Sequence, residues 1–153
     1  KALYRSLTAE VPTNDYSLEF GKSRLIGDAK DALIVTYGMG VHWALEEASR
    51  RRENDGTEIG VLDLRTLAPL DWDGVFSASK KAGRILVLHE DNLTGGIGAE
   101  LTARIQSACF EQLDAPVTRV ASIDTPIPFA PTLEAAYLGN AQLGEALDTL
   151  LGY

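Results

Sequence analysis

The sequence predicts a three-layer α/β domain built on a mostly parallel sheet, and two observations carry that prediction. Near-continuous apolar runs of strand length, such as Ala32–Tyr37 and Ile85–Leu88, leave no solvent-facing side, so helices must cover both sheet faces. Between those runs the apolar spacing changes to the helical i, i+3, i+4 pattern, and Gly- or Pro-bearing turns mark each change.

Residues 1–22 scatter Thr8, Pro12, Asn14, Asp15 and Gly21 among apolar positions. They read as a connecting segment of loops and at most a short strand, with residues 23–153 as the folded domain. Ala32–Tyr37 is the first clear strand. Gly38 and Gly40 then turn the chain into a helix with Val41, Ala44, Leu45 and Ala48 on one face, closed by Asn54-Asp55-Gly56. Glu58–Leu64 supplies the next strand and completes a βαβ unit. A short helix near Asp73–Ala82 leads through Gly83 into the strand Arg84–Leu88. The next helix aligns Ile97, Leu101, Ile105 and Cys109. Val117–Ala121 follows Pro116 as a strand. Pro126, Pro128 and Pro131 then predict an irregular stretch, because proline lacks the N–H that regular pairing needs. Leu143, Ala146, Leu147, Leu150 and Leu151 form the apolar stripe of a last helix.

Whole-chain properties bound the function. The 153 residues suffice for one ordinary domain, and no apolar run approaches the roughly 20 residues of a membrane-spanning helix, so a soluble protein is expected. The formal net charge of −8 argues against nucleic acid or an anionic membrane as partner. After Arg119 the chain carries Asp124, Glu134, Glu145 and Asp148 and no Lys or Arg, an acidic end that would steer a basic partner. Cys109, the single cysteine, can form no internal disulfide and agrees with a cytoplasmic protein. The chain begins at Lys1 without a signal peptide, and we expect a piece of a longer protein.

Motif chemistry is sparse. Gly38-Met39-Gly40 after a strand, with Asp63 about 20 residues on, partly matches a dinucleotide-binding fingerprint, but Trp43 stands where a third glycine should allow close packing. His89 and Glu90 precede Gly95-Gly96-Ile97-Gly98, with Glu100 in the first turn of the helix. That cluster reads as a subunit-interface or anion-binding candidate, or as plain loop structure. His42, His89 and Cys109 have no metal-ligand spacing, and neither a serine-hydrolase elbow nor a Walker motif is present. No catalytic, cofactor or metal residue is therefore assigned.

Taken in order, Thr36-Tyr37-Gly38, the string Asp63-Leu64-Arg65-Thr66-Leu67-Ala68-Pro69-Leu70-Asp71, His89-Glu90 with Gly95–Glu100, and Asp124-Thr125-Pro126-Ile127-Pro128-Phe129-Ala130 form a specific pattern. It resembles the β subunit of thiamine diphosphate-dependent 2-oxoacid dehydrogenases, the pyruvate and branched-chain type, over nearly the whole chain. Tyr137-Leu138-Gly139 departs from it where the family has a proline. The resemblance implies the transketolase C-terminal domain fold: five strands, mostly parallel, with one antiparallel edge strand. Ser23–Ile26 would be that strand, although its pattern alone does not mark it. The resemblance further implies an oxidoreductase whose thiamine diphosphate and Mg²⁺ are bound by other domains, so this piece alone is expected to bind neither and to be inactive. The implied partners are an α subunit or domain, a second β copy, and the acyltransferase core of the complex through its basic subunit-binding domain. Asp124, Glu134, Glu145 and Asp148 are the docking candidates. The reading kept beside this one is a small dinucleotide-binding oxidoreductase using Gly38, Gly40 and Asp63.

Overall fold

The computed structural model describes residues 2–153. Its elements are α1 (Ala2–Ser6), β1 (Arg24–Ile26), β2 (Ala32–Thr36), α2 (Met39–Asp55), β3 (Ile59–Asp63), α3 (Trp72–Ala82), β4 (Ile85–Asn92), α4 (Ile97–Cys109), β5 (Thr118–Ser122), α5 (Pro131–Tyr137) and α6 (Leu143–Leu151). The sheet runs β1-β3-β2-β4-β5, with β1 antiparallel to β3 and every other pair parallel.

The predicted layers follow from side-chain alternation along the central strand. Ala32 and Ile34 of β2 face one core with Val41 and Ala44 of α2 and Leu143, Leu147 and Leu150 of α6. Leu33 and Val35 face a second core with Val75 of α3 and Leu101, Ile105 and Cys109 of α4. All five residues of β2 are buried, as a strand covered on both faces must be. Burial also raises the pKa of the Cys109 thiol, ahead of a smaller opposing effect of Lys80, so the residue behaves as a core hydrophobe.

The connecting segment differs from expectation in detail. Its one regular element is the helical turn α1, and residues 7–23 form neither helix nor strand. Pro131, expected to prolong an irregular stretch, instead opens α5 at the first helical position, where a missing N–H costs nothing. Arg24–Ile26 is the edge strand that the resemblance implied; a three-residue strand is too short to show a period, which is why its pattern was silent.

The Asp63–Asp71 string turns out to bind the connecting segment to the domain. The Asp71 carboxylate caps α3 at Gly74 N (3.1 Å) and accepts from both the backbone N–H and the hydroxyl of Ser23 at 2.8 Å. The backbone donor of Ser23 is the first of the contacts that hold its pKa below the usual carboxylate range. Thr66 Oγ1 accepts from Gly21 N (3.1 Å) and donates to Pro69 O (2.8 Å).

Candidate functional site

From β2 the chain moves outward to β3 on one side and then to β4 on the other, so the topological switch point lies between the carboxyl ends of β2 and β4. Ligands of open α/β sheets gather in such a crevice. It brings together Tyr37 and Gly38 from one strand end and His89, Glu90 and Asp91 from the other.

Neither helix start here is shaped for an anion. Gly38 precedes α2 at φ 62° and ψ −131°, a conformation open to glycine and strained for other residues, and no side chain caps the helix. The Glu90 carboxylate lies 3.6 Å from where a Cβ on Gly38 would sit, so the protein's own negative charge stands beside the positive end of α2. Gly40 is explained by packing, since a side chain there would collide with the buried hydroxyl of Thr36. Burial, followed by Asp91 and Glu90, pushes the Tyr37 phenol above its ordinary value, another sign of a negative crevice.

At α4 the glycines accommodate an imidazole. His89 is 0% exposed, and a Cβ on Gly96 would lie 2.6 Å from its Cε1 while one on Gly98 would strike Nε2. Among the described residues neither ring nitrogen has a hydrogen-bond partner. Burial, opposed by Asp91 and aided by Arg119, moves its pKa below the ordinary histidine value, so the ring is neutral at pH 7. Gly95, at φ 79°, makes the turn. Glu100 belongs elsewhere: it pairs with Arg104 at 2.6 Å, whose guanidinium stacks 4.4 Å above the Trp72 ring. Of the six residues of the sequence cluster, His89, Gly96 and Gly98 form a buried packing unit, while Glu90 stands beside α2, Gly95 lies in the exposed turn and Glu100 is on the outer helix face.

The four acidic docking candidates are also divided. Asp124 accepts from Thr94 N (2.9 Å) and Oγ1 (2.6 Å), and that hydroxyl contributes most to holding its pKa low. Glu134 is exposed on α5 and Glu145 on α6. Asp148 is engaged at 2.8 Å by Arg51, a residue only 6% exposed that also reaches Glu47 (2.7 Å) and Gly144 O (2.8 Å). Of the basic run Arg50–Arg52 at the end of α2, Arg51 is the one that turns inward, a placement that a run of like residues in the sequence does not disclose. The signal that does point to it is Glu47, four residues before Arg51 on the same face.

Sequence reasoning also missed Asn92. This side chain donates to Ile123 O (3.0 Å) and Thr125 O (3.2 Å) and accepts from the Tyr137 hydroxyl (3.1 Å). Ser122 Oγ donates to Glu90 O at 2.6 Å. Together they fasten the Pro-rich segment after β5 to the end of β4. Among the described residues no group of three His, Cys, Asp or Glu is placed to hold a metal ion, and no helix is long and apolar enough to cross a membrane.

Asp63, the acidic residue of the partial dinucleotide fingerprint, already accepts the Arg65 N–H at 3.0 Å. With Glu90 beside α2 and Thr36 against Gly40, the features that made the fingerprint visible have internal explanations. The model of the family "Transketolase, C-terminal domain" matches residues 21–142. The chain belongs to the transketolase C-terminal domain family. It is 41% identical over 147 residues to the 2-oxoisovalerate dehydrogenase subunit beta of Bacillus subtilis, covering 95% of this chain and 45% of that protein. To the pyruvate dehydrogenase E1 component subunit beta of the same organism it is 41% identical over 138 residues, 90% of this chain and 42% of the relative. It is 40% identical over 141 residues to the beta subunit of acetoin:2,6-dichlorophenolindophenol oxidoreductase of Cupriavidus necator, 92% of this chain and 41% of that one. The chain therefore spans less than half the length of these relatives. Among solved structures, a split-gene transketolase described as an inactive β4 tetramer superposes with a TM-score of 0.72 at 26% identity, over 97% of this chain and 47% of that one.

Proposed function

We propose that this chain is the C-terminal domain of the β-type subunit of a thiamine diphosphate-dependent 2-oxoacid dehydrogenase, and that it serves assembly while the chemistry is done by other domains. The observation that carries the reading is 41% identity across 95% of the chain to a 2-oxoacid dehydrogenase β subunit. Relatives of nearly equal identity carry names with different substrates, 2-oxoisovalerate, pyruvate and acetoin, which fits a domain without the substrate pocket. The residues at the switch point do not suit a diphosphate: a carboxylate flanks the start of α2, and a neutral imidazole fills the space beneath the start of α4. Thiamine diphosphate and Mg²⁺ are accordingly assigned to the parent's other domains.

In this reading the parent β-type protein assembles with an α-type chain and with a second β copy. It passes an acyl group to lipoyl on an acyltransferase core, whose basic subunit-binding domain is drawn to the acidic C-terminal end. Glu134 and Glu145 remain available to that partner; Asp124, held by Thr94, and Asp148, engaged by Arg51, offer less. The test is light scattering on the chain with and without the basic domain. A complex that weakens as ionic strength rises supports docking. Calorimetric titration of the isolated chain with thiamine diphosphate and Mg²⁺ should give no binding heat. Saturable micromolar binding would overturn the assembly reading.

A further inference from the structure

His89 is fully buried beneath a cover made largely of glycine. Gly96 and Gly98 lie against the ring, Gly95 makes the turn before them at φ 79°, and Ile97 is only partly buried. Leu93, Thr94, Ala99 and Glu100 are exposed, whereas the rest of α4 is fastened in the core by Leu101, Ile105 and Cys109. Lifting the cover on a hinge between Gly98 and Leu101 therefore uncovers the imidazole and little other apolar surface. Glycine backbone also gains the most freedom on release.

A proton gives the ring a reason to leave. A neutral imidazole carries one N–H donor and an imidazolium two, and neither nitrogen has a hydrogen-bond partner among the described residues. The start of α4, which no side chain caps, sets the positive end of its dipole over the ring. From β5 the Arg119 guanidinium opposes a second positive charge, while its Nη1 donates to Leu93 O at 3.0 Å. Asp91, exposed on the histidine's own strand, favours the charge through its carboxylate and its backbone. The other acids nearby are engaged or turned away: Glu100 of α4 pairs with Arg104, Asp124 is held by Thr94, and Glu90 stands beside α2. Tyr37, at the end of β2, keeps its phenol proton because burial and those acids raise its pKa.

We propose that His89 is a proton-operated latch: its protonation turns the ring outward to the Asp91 carboxylate and lifts the Gly95-Gly96 turn and the first turn of α4, while the sheet stays folded. The moving piece includes Leu93 and Thr94, which tie the end of β4 to Ser122, Arg119 and Asp124. Mild acid thereby loosens the face of the domain at the switch point. The latch is a property of this chain and stands apart from the β-subunit reading.

The test follows amide hydrogen exchange and the imidazole signals of the chain by NMR from about pH 7.5 to about 5, with exchange corrected for its intrinsic pH dependence. His42→Gln leaves a single imidazole to follow. The amides of Leu93, Thr94 and Ala99, which donate to Ser122 O, Asp124 Oδ1 and Gly96 O, should lose roughly tenfold or more of their protection as the ring titrates. Those of Leu33 and Leu64, which donate to Arg84 O and Thr36 O within the sheet, should keep theirs. In His89→Gln and His89→Leu, which take up no proton there, the loss should vanish. If neither variant folds, the two sets of amides in the wild type decide the matter alone. Equal loss at the cover and in the sheet overturns the proposal, since the proton then acts only through global unfolding. Cover amides that stay protected down to about pH 5 also overturn it, as does an undiminished loss in a folded His89→Gln.

Discussion

The imidazole of His89 lies directly beneath Gly98 in the first turn of α4, so closely that any side chain at position 98 would meet the ring. Two helix-start glycines that resembled a ligand cradle are instead the space in which a buried histidine is packed.

The first expected outcome concerns that packing. Gly98→Ala should destabilise the domain by about 1–3 kcal/mol through overpacking, although alanine is ordinarily the better helix former. Chemical denaturation measures this, and pairing the change with His89→Ala should recover part of the loss, since the two residues share one space.

His89 also sets a pH dependence. Its folded-state pKa lies below the unfolded value of about 6.5, so the unfolded chain binds the proton first as pH falls. The contribution to stability is complete above that value, begins to fall below it and continues to fall until the folded-state pKa is reached. Urea midpoints between pH 7.5 and about 5 should decline in the wild type and flatten in His89→Leu. The low-pKa carboxylates Asp71 and Asp124 act in a more acidic range and do not obscure this window.

Arg51 and Asp148 form a pair of unequal partners. Burial alone would push the Glu47 carboxyl up, but hydrogen bonds from Arg50 and Arg51 outweigh it and hold the group below its usual range. Arg51→Ala leaves that carboxylate to Arg50 alone and strips Gly144 O of its donor, and should cost about 1–3 kcal/mol. Asp148→Asn changes a 71% exposed side chain and should cost less than about 1 kcal/mol. Comparison of the two melting temperatures checks the asymmetry.

Asp71 is expected to matter twice. Asp71→Ala removes the cap of α3 and frees Ser23, with a loss of about 1–2 kcal/mol for the cap alone. Limited proteolysis should then cut the connecting segment near residue 20 faster than in the wild type.

The layered sheet was legible because its signals are local: an apolar run at Ala32–Tyr37 and a stripe at Leu143–Leu151 declare their own periods. Edge strand Arg24–Ile26 was not, because its pairing with β3 depends on a distant segment and is too short to have a period. The functional surface was less legible still. His89, Glu90 and the glycines stand together in the sequence, but only the fold shows that the imidazole faces inward and that Glu90 stands beside α2. Arg51 and Asp148 are separated by most of the chain, and Asn92 works through the backbone carbonyls of another loop, partners that leave no trace in residue type. The Asp63–Asp71 string was visible as a motif, whereas its role as a clasp on Gly21 and Ser23 was not.

The helix α6 supplies Leu143, Leu147 and Leu150 to the core on the α2 side of the sheet. Until a ribosome has released those residues, the part of that face over β4 and β5 that α6 covers stays open to water, even though every strand has already been made and α2 already covers β2. Completion of the domain is therefore tied to the end of this segment's synthesis. A nascent chain arrested before Leu143 should expose an oily sheet that chaperones would hold.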